Sequence, residues 1–166
     1  EDHDVTRRVL SYALQKDGHT IITAENGLVA LDRLAETSVN LAIIDIAMPK
    51  MNGLALLRNL RANDNGVKQL LIMVDIPAKI SDLDPKARQK AVEDHFQWVD
   101  AAHQLGCHSI RVNLYGNEGR GQVANASIDG MSALCEYASQ ANINIIVENH
   151  GHFSSDGSWL ANVMTR

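Results

Sequence analysis

The chain has 166 residues, 45% of them apolar, which suits one ordinary globular core and excludes a disordered polymer. A net charge of −5 with no run of Lys or Arg leaves no electrostatic footprint for nucleic acid or an anionic membrane. No apolar stretch approaches the ~18 residues that span a bilayer and no charged-then-apolar leader opens the chain, so a soluble, cytoplasmic protein with small-molecule or protein partners is expected.

Glu1-Asp2-His3-Asp4 opens the chain with neither an initiator Met nor an apolar strand. Asp4 reads as the N-cap of a first helix that puts Val5, Val9, Leu10, Ala13 and Leu14 on one packing side and stops at Gly18. The apolar run 19–24 is a predicted strand, and 26–36 a predicted helix with Leu28, Leu31 and Leu34 at helical spacing. A second strand, 41–46, carries Asp45 near its end, and a third helix, 53–62, carries Leu54, Leu57 and Leu60. Further strands are predicted at 69–75, 108–114 and 143–149. Between them lies a helix capped by Asp84, with Pro85 at its first position, Ala91, Trp98, Val99 and Ala102 inward, and Gly106 closing it. His95 and His103 on that helix read as packing or surface residues. The next helix, 127–140, uses Met131, Leu134, Cys135 and Ala138, and a last one covers residues 156–165. Cys107 and Cys135 form neither a disulfide framework nor a metal-type spacing and are read as buried thiols.

The alternation of short apolar runs with helical stretches defines the class as α/β, a parallel sheet of about five strands with flanking helices. All the strand candidates are too apolar for a sheet wet on one face. Segments 46–52, 75–84, 114–127 and 149–157, which follow the strands, are longer and richer in Gly, Asn, Asp and Ser than those following helices. In parallel sheets that carboxyl edge is where ligands bind, and function is expected there.

A carboxylate at the carboxyl end of a central strand, close to other carboxylates, is the arrangement that holds Mg²⁺ and accepts a phosphoryl group. With the acidic pair Glu1-Asp2, a helix opening, and an apolar strand bearing Asp45-Ile-Ala-Met-Pro-Lys-Met-Asn-Gly, residues 1–62 resemble a response-regulator receiver domain. The resemblance implies that Asp45 is the phosphoacceptor and that Asp2, with Glu1 beside it, is the acidic metal-binding pair. It makes the carbonyl of Ala47 a third metal ligand, and Pro49 and Gly53 the turn that shapes the pocket. It also implies a central first strand ahead of Glu1, a Ser or Thr ending the fourth strand and a Lys ending the fifth. Here the fourth position falls at or near Asp75 and the fifth run ends Arg-Val-Asn-Leu-Tyr. A carboxylate in place of a hydroxyl, with no lysine, adds negative charge where a phosphoryl dianion must sit. Weak cation binding is expected to survive and signalling is not.

From Arg61 the sequence changes character. Asn-Gly-Val-Lys-Gln-Leu-Leu-Ile-Met-Val-Asp, then Ala-Val-Glu-Asp-His-Phe-Gln-Trp-Val-Asp-Ala-Ala, Leu-Gly-Cys-His-Ser-Ile-Arg-Val-Asn and Ile-Asn-Ile-Ile-Val-Glu-Asn-His-Gly follow in order. Residues 63–166 are thereby similar to sugar phosphate isomerases/epimerases of the xylose-isomerase-like TIM barrel superfamily, across the third to fifth strands of such a barrel. The resemblance makes Glu148 the first ligand of a divalent cation, the others lying on later strands. One carboxylate supplies neither a tight metal site nor an acid and a base, so no isomerase activity is expected. Glu148, His150 and His152 alternate and could share one strand face as a Zn²⁺-like site, against the plainer reading of solvated loop histidines. Arg111 and Asn113 would point to a barrel mouth and could bind an oxyanion, against a capping or surface role.

The expectation is one α/β domain over 1–166, flavodoxin-like or half-barrel, joined near residues 58–66 from a receiver-like and a barrel-like part. It would be a chimeric scaffold without a complete active site and not an enzyme. It would require no cofactor and hold at most weak Mg²⁺ around Asp2, Asp45 and Asp75. Metal candidates are Asp2, Asp45, Ala47 and Glu148, and pocket candidates Glu1, Asp75, Arg111 and Asn113. Alternatives are a phosphorelay receiver phosphorylated on Asp45, or a truncated isomerase completed by another chain. A homodimer through exposed sheet edges is the expected partner state.

Overall fold

The computed structural model describes residues 3–63 and 68–166. Glu1 and Asp2, assigned above to the pocket and the metal site, lie outside the described residues. The chain divides into two compact units, Glu1–Lys68 and Gln69–Arg166, slightly beyond the junction read from the sequence.

The first unit has three helices, α1 (Asp4–Lys16), α2 (Gly27–Glu36) and α3 (Gly53–Ala62). Helix α1 is capped by His3 rather than Asp4: the His3 ring accepts from the Thr6 N–H at 3.4 Å. Asp4 sits inside the first turn, where a carboxylate complements the helix dipole, and pairs with Arg7 at 2.8 Å and Arg8 at 2.9 Å. Asn26 caps α2 by accepting from the Leu28 and Val29 amides, and Asn52 caps α3 by accepting from Ala55. The core consists of Met48, Leu56 and Leu60, with Ala30, Leu31, Leu34, Ile44 and Met51 packed against it. Helix α1 adds no buried residue to it, and Val5 and Val9 are 64% and 62% exposed. Its predicted packing stripe is thus reduced to a half-buried Leu14, Leu10 being exposed as well.

Neither strand predicted in this unit forms. Residues 19–24 and 41–45 are free of helix, turn and bend but make no ladder among the described residues. Local apolarity favours extension, yet a strand exists only through a hydrogen-bonded neighbour, and these two segments do not pair with each other.

The second unit supplies the sheet: β1 (Leu71–Met73), β2 (Ser109–Asn113) and β3 (Asn144–Glu148), all parallel, in the order β1-β2-β3. The α/β class stands, with three strands where five were expected. Register sets Arg111 between Met73 and Ile146, and Asn113 beside Glu148. Parallel neighbours need long crossovers, here α4 (Pro85–Leu105) and α5 (Arg120–Gln140). Ile72, Val74, Ile110 and Val112 share one buried sheet face, with Val92, Val99, Leu134 and Ala138 of the helices in the same buried set. The opposite face is exposed on the flanking strands, where Leu71, Met73 and Ile146 are 40%, 56% and 39% exposed, but buried on the central one at Ser109 and Asn113. A 3₁₀ turn (His152–Ser155) and α6 (Gly157–Met164) follow.

Asp84 caps α4 through the Lys86 amide, and Gly106 ends it at φ 74°. Helix α5 starts at Arg120 rather than 127, because Gly119 and Gly121 masked an inward row of Val123, Ala124, Ala126 and Ser127. Cys107 is buried as expected, but Cys135 is exposed. His95 is a packing residue, 3% exposed, its Nδ1–H donating to the Ala91 carbonyl at 2.7 Å. Among the described residues no helix is long and apolar enough to cross a membrane.

Candidate functional site

Each unit presents its own candidate. In the first, Asp45 is half-buried, and its Oδ1 accepts from the Ala47 N–H at 3.1 Å, a one-residue loop that fixes the carboxylate at the end of the segment. The chain then turns tightly. The Ile46 carbonyl accepts from both Met48 (3.1 Å) and Gly53 (3.0 Å), Met51 donates to Pro49 O at 2.7 Å, and Lys50 takes φ 63°. A Cβ on Gly53 would stand 2.2 Å from the Asp45 carbonyl oxygen, so only glycine fits there. A Cβ on Gly27 would meet Met51 at 2.7 Å, and the Gly27 N–H donates to Met51 O, which ties this turn to the start of α2. The motif read from the sequence is therefore a packed turn that presents one carboxylate. Pro49 is exposed, and so is Ala47.

In the second unit the sheet's carboxyl edge gathers Asp75, Arg111, Asn113 and Glu148, four residues singled out in the sequence, into one network. Arg111 Nη1 donates to Asn113 Oδ1 at 2.8 Å, and Nη2 lies 2.8 Å from Glu148 Oε2. Asn113 Nδ2 donates to Tyr115 Oη at 2.7 Å and to Asp75 Oδ1 at 3.3 Å, and Tyr115 Oη donates to Asp75 Oδ1 at 3.2 Å. Arg111 and Asn113 alternate on one side of β2, and register brings Glu148 alongside Asn113. Burial, and then the Asp75 carboxylate, push the Tyr115 phenol above its usual range, so it stays a neutral donor.

Tyr115, which ends the run Arg-Val-Asn-Leu-Tyr, was given no place in the site although it continues the period-two row Arg111, Asn113. Ser81 was also missed: its hydroxyl donates to the Tyr115 carbonyl at 2.5 Å and accepts from the Tyr115 N–H at 3.1 Å. No sequence periodicity links residues so far apart. The alternation read for Glu148, His150 and His152 does not persist, since β3 ends at Glu148, Gly151 takes φ 75° and His152 φ 51°. His150 Nδ1 is 3.9 Å from Glu148 Oε1, whereas His152 pairs with Asn117. The Tyr115 ring meets both imidazoles edge-on, at 6.4 and 5.8 Å between centroids. Among the described residues no three His, Cys, Asp or Glu side chains gather closely enough to hold a metal ion, so the Zn²⁺-like triad is not assembled.

Residues 1–83 match the response regulator receiver domain, and residues 45–164 match the xylose isomerase-like TIM barrel. The chain belongs to both families, and the two matches overlap across the Asp45 turn, α3 and β1. Among curated proteins it is 34% identical over 86 residues to the uncharacterized transcriptional regulatory protein YkoG of Bacillus subtilis, covering 51% of this chain and 38% of that one. It is 35% identical over 94 residues to the Regulator of RpoS of Escherichia coli K12, covering 57% and 27%. It is also 38% identical over 72 residues to the response regulator receiver protein CpdR of Brucella abortus, covering 43% and 60%. The chain thus spans less than two thirds of the length of these relatives.

Proposed function

We propose that the chain is a composite α/β scaffold with no complete catalytic set, and not an enzyme, whose receiver-like part keeps an acidic pocket at Asp45. The observation that carries this reading is the Arg111–Glu148 contact at 2.8 Å. The carboxylate that resemblance assigns to a metal faces a guanidinium, whose fixed positive charge opposes a divalent cation in the same place. No cofactor is required, and Mg²⁺ binds weakly through Asp45 and the Ala47 carbonyl. The same reading has two copies pairing along the edge strands of the sheet, and a cytoplasmic protein that does not bind nucleic acid, in keeping with its net charge of −5.

A second reading, phosphoryl acceptance at Asp45, is favoured by the turn that holds this one carboxylate half-exposed and by relatives named as regulators. Acetyl phosphate with Mg²⁺, read by intact mass, separates the two. In that reaction the acetyl C–O–P bridge breaks at phosphorus, an Asp45 oxygen forms the new O–P bond and acetate leaves. The scaffold reading expects no adduct on the parent chain. An adduct on the parent that is missing from Asp45→Asn would replace it with the receiver reading.

A further inference from the structure

Three Asn-Gly junctions stand in the sequence, at 26–27, 52–53 and 65–66, the last outside the described residues. The side-chain amide of an Asn is open to attack by the backbone nitrogen that follows it, and glycine hinders that attack least because it carries no side chain. At both described junctions the fold enforces this labile pair. Asn26 caps α2 and Asn52 caps α3 through Oδ1. A Cβ on Gly27 would fall 2.7 Å from the Met51 side chain, and one on Gly53 2.2 Å from the Asp45 carbonyl oxygen. Each Asn is therefore held where a helix needs an acceptor, directly before a position that only glycine fits.

One turn restrains both junctions. The Gly27 N–H donates to the Met51 carbonyl and the Gly53 N–H to the Ile46 carbonyl, each at 3.0 Å. Cyclisation needs the glycine nitrogen to lose that proton and swing towards Cγ until it nearly eclipses Cβ about the Cα–C bond. With ψ at 170° in Asn26 and 165° in Asn52, nitrogen and Cβ are staggered instead. Neither peptide plane can turn while these bonds and close contacts stand, so ring closure waits on the opening of 46–51.

We propose that Asn26 and Asn52 are a coupled pair of deamidation sites, gated together by the turn at 46–51. When the turn opens, the glycine nitrogen bonds to the Asn Cγ and gives up its proton, the Cγ–Nδ2 bond breaks, and ammonia leaves. Water then opens the succinimide at either carbonyl, giving Asp or isoaspartate and an added negative charge. Isoaspartate routes the main chain through the former side chain and lengthens it, so the helix loses its cap and its hold on the turn. Reaction at one junction thereby hastens reaction at the other.

The test incubates the full chain in mildly alkaline buffer and maps its peptides by mass, so that 26–27, 52–53 and 65–66 are read separately. Folded chain is expected to deamidate at 26–27 and at 52–53 about tenfold or more slowly than the same chain in urea. Met48→Ala, which hollows the core beside the turn, is expected to speed both junctions about tenfold. Lys50→Gly, which relieves the left-handed φ of 63° within the turn, is expected to slow both about threefold, and is read alone if Met48→Ala does not fold. The proposal is overturned if either junction reacts in the folded chain at its rate in urea, or if a folded variant changes one junction alone or neither.

Discussion

The two units share a composition and a class of element but differ in how completely they are satisfied. In the second, three strands pair in register and alternate residues on one face fall to near-zero exposure. In the first, equally apolar segments form no ladder among the described residues, and α1 contributes nothing buried. Helices are closed by bonds within themselves and by caps a few residues away, so both units form theirs. A strand is closed only by another segment, and there the units part.

Core truncations should expose this contrast most strongly. Ile110→Ala, at a fully buried site of β2, should cost about 3–4 kcal/mol, while Ile43→Ala, 63% exposed, should stay within about 0.5 kcal/mol, as read by denaturant midpoints. Equal losses would mean that 41–45 is buried in solution, and the contrast would fail. Next in size, Gly53→Ala forces a Cβ against the Asp45 carbonyl and should cost about 2 kcal/mol, with the loss confined to probes in the first unit. Asp45→Asn, which keeps an acceptor for the Ala47 amide, should leave stability nearly unchanged. Arg111→Met would test whether the second unit's edge network is structural. It leaves Glu148 without its cation and frees Asn113 Oδ1, and about 1 kcal/mol is expected to be lost, since Glu148 is itself 40% exposed.

The smallest effect is one of pH. Burial holds His95 below the ordinary histidine range, opposed in part by the Ala91 carbonyl and then by Asp94. The unfolded chain therefore binds a proton at His95 before the folded one does. Stability is full above the unfolded value of about 6.5 and declines as pH falls from there towards the lowered folded value. Thermal melts of the parent should show this slope, and His95→Gln should flatten it. A slope of the opposite sign would mean that the ring is charged in the folded state.

The helices were the most legible part of the sequence. Asn52, Asp84, Pro85 and Gly106 mark their ends with side-chain chemistry that acts within a few residues, and α3 and α4 stand where they were placed. Helix α5 was shortened in the sequence by Gly119 and Gly121, whose turn character outweighed the buried row behind them. The strands were legible as apolar runs but not as pairings, which explains both the correct β2 and the absent 19–24 and 41–46. At the edge of the sheet, Asp75, Arg111, Asn113 and Glu148 could be named from strand ends alone. That Arg111 would spend its charge on Glu148, and that Ser81 would clasp Tyr115, depends on register and on a loop's path. Neither is written in local periodicity.

The loop between β1 and α4 is fixed at three successive points. The Ile80 carbonyl lies where a Cβ on Gly130 would fall at 1.9 Å, the Ser81 hydroxyl clasps both backbone groups of Tyr115, and the Asp82 carbonyl receives Arg88 at 2.6 Å. Residues 76–79, by contrast, make none of these attachments. Extra residues inserted at 76–79 would be absorbed as slack, whereas the same insertion at 80–82 would shift Tyr115 and, through it, the whole edge network. The loop thus has a tolerant half and a gauged half, and its gauged half sets how far the chain can be lengthened before the sheet edge loses its arrangement.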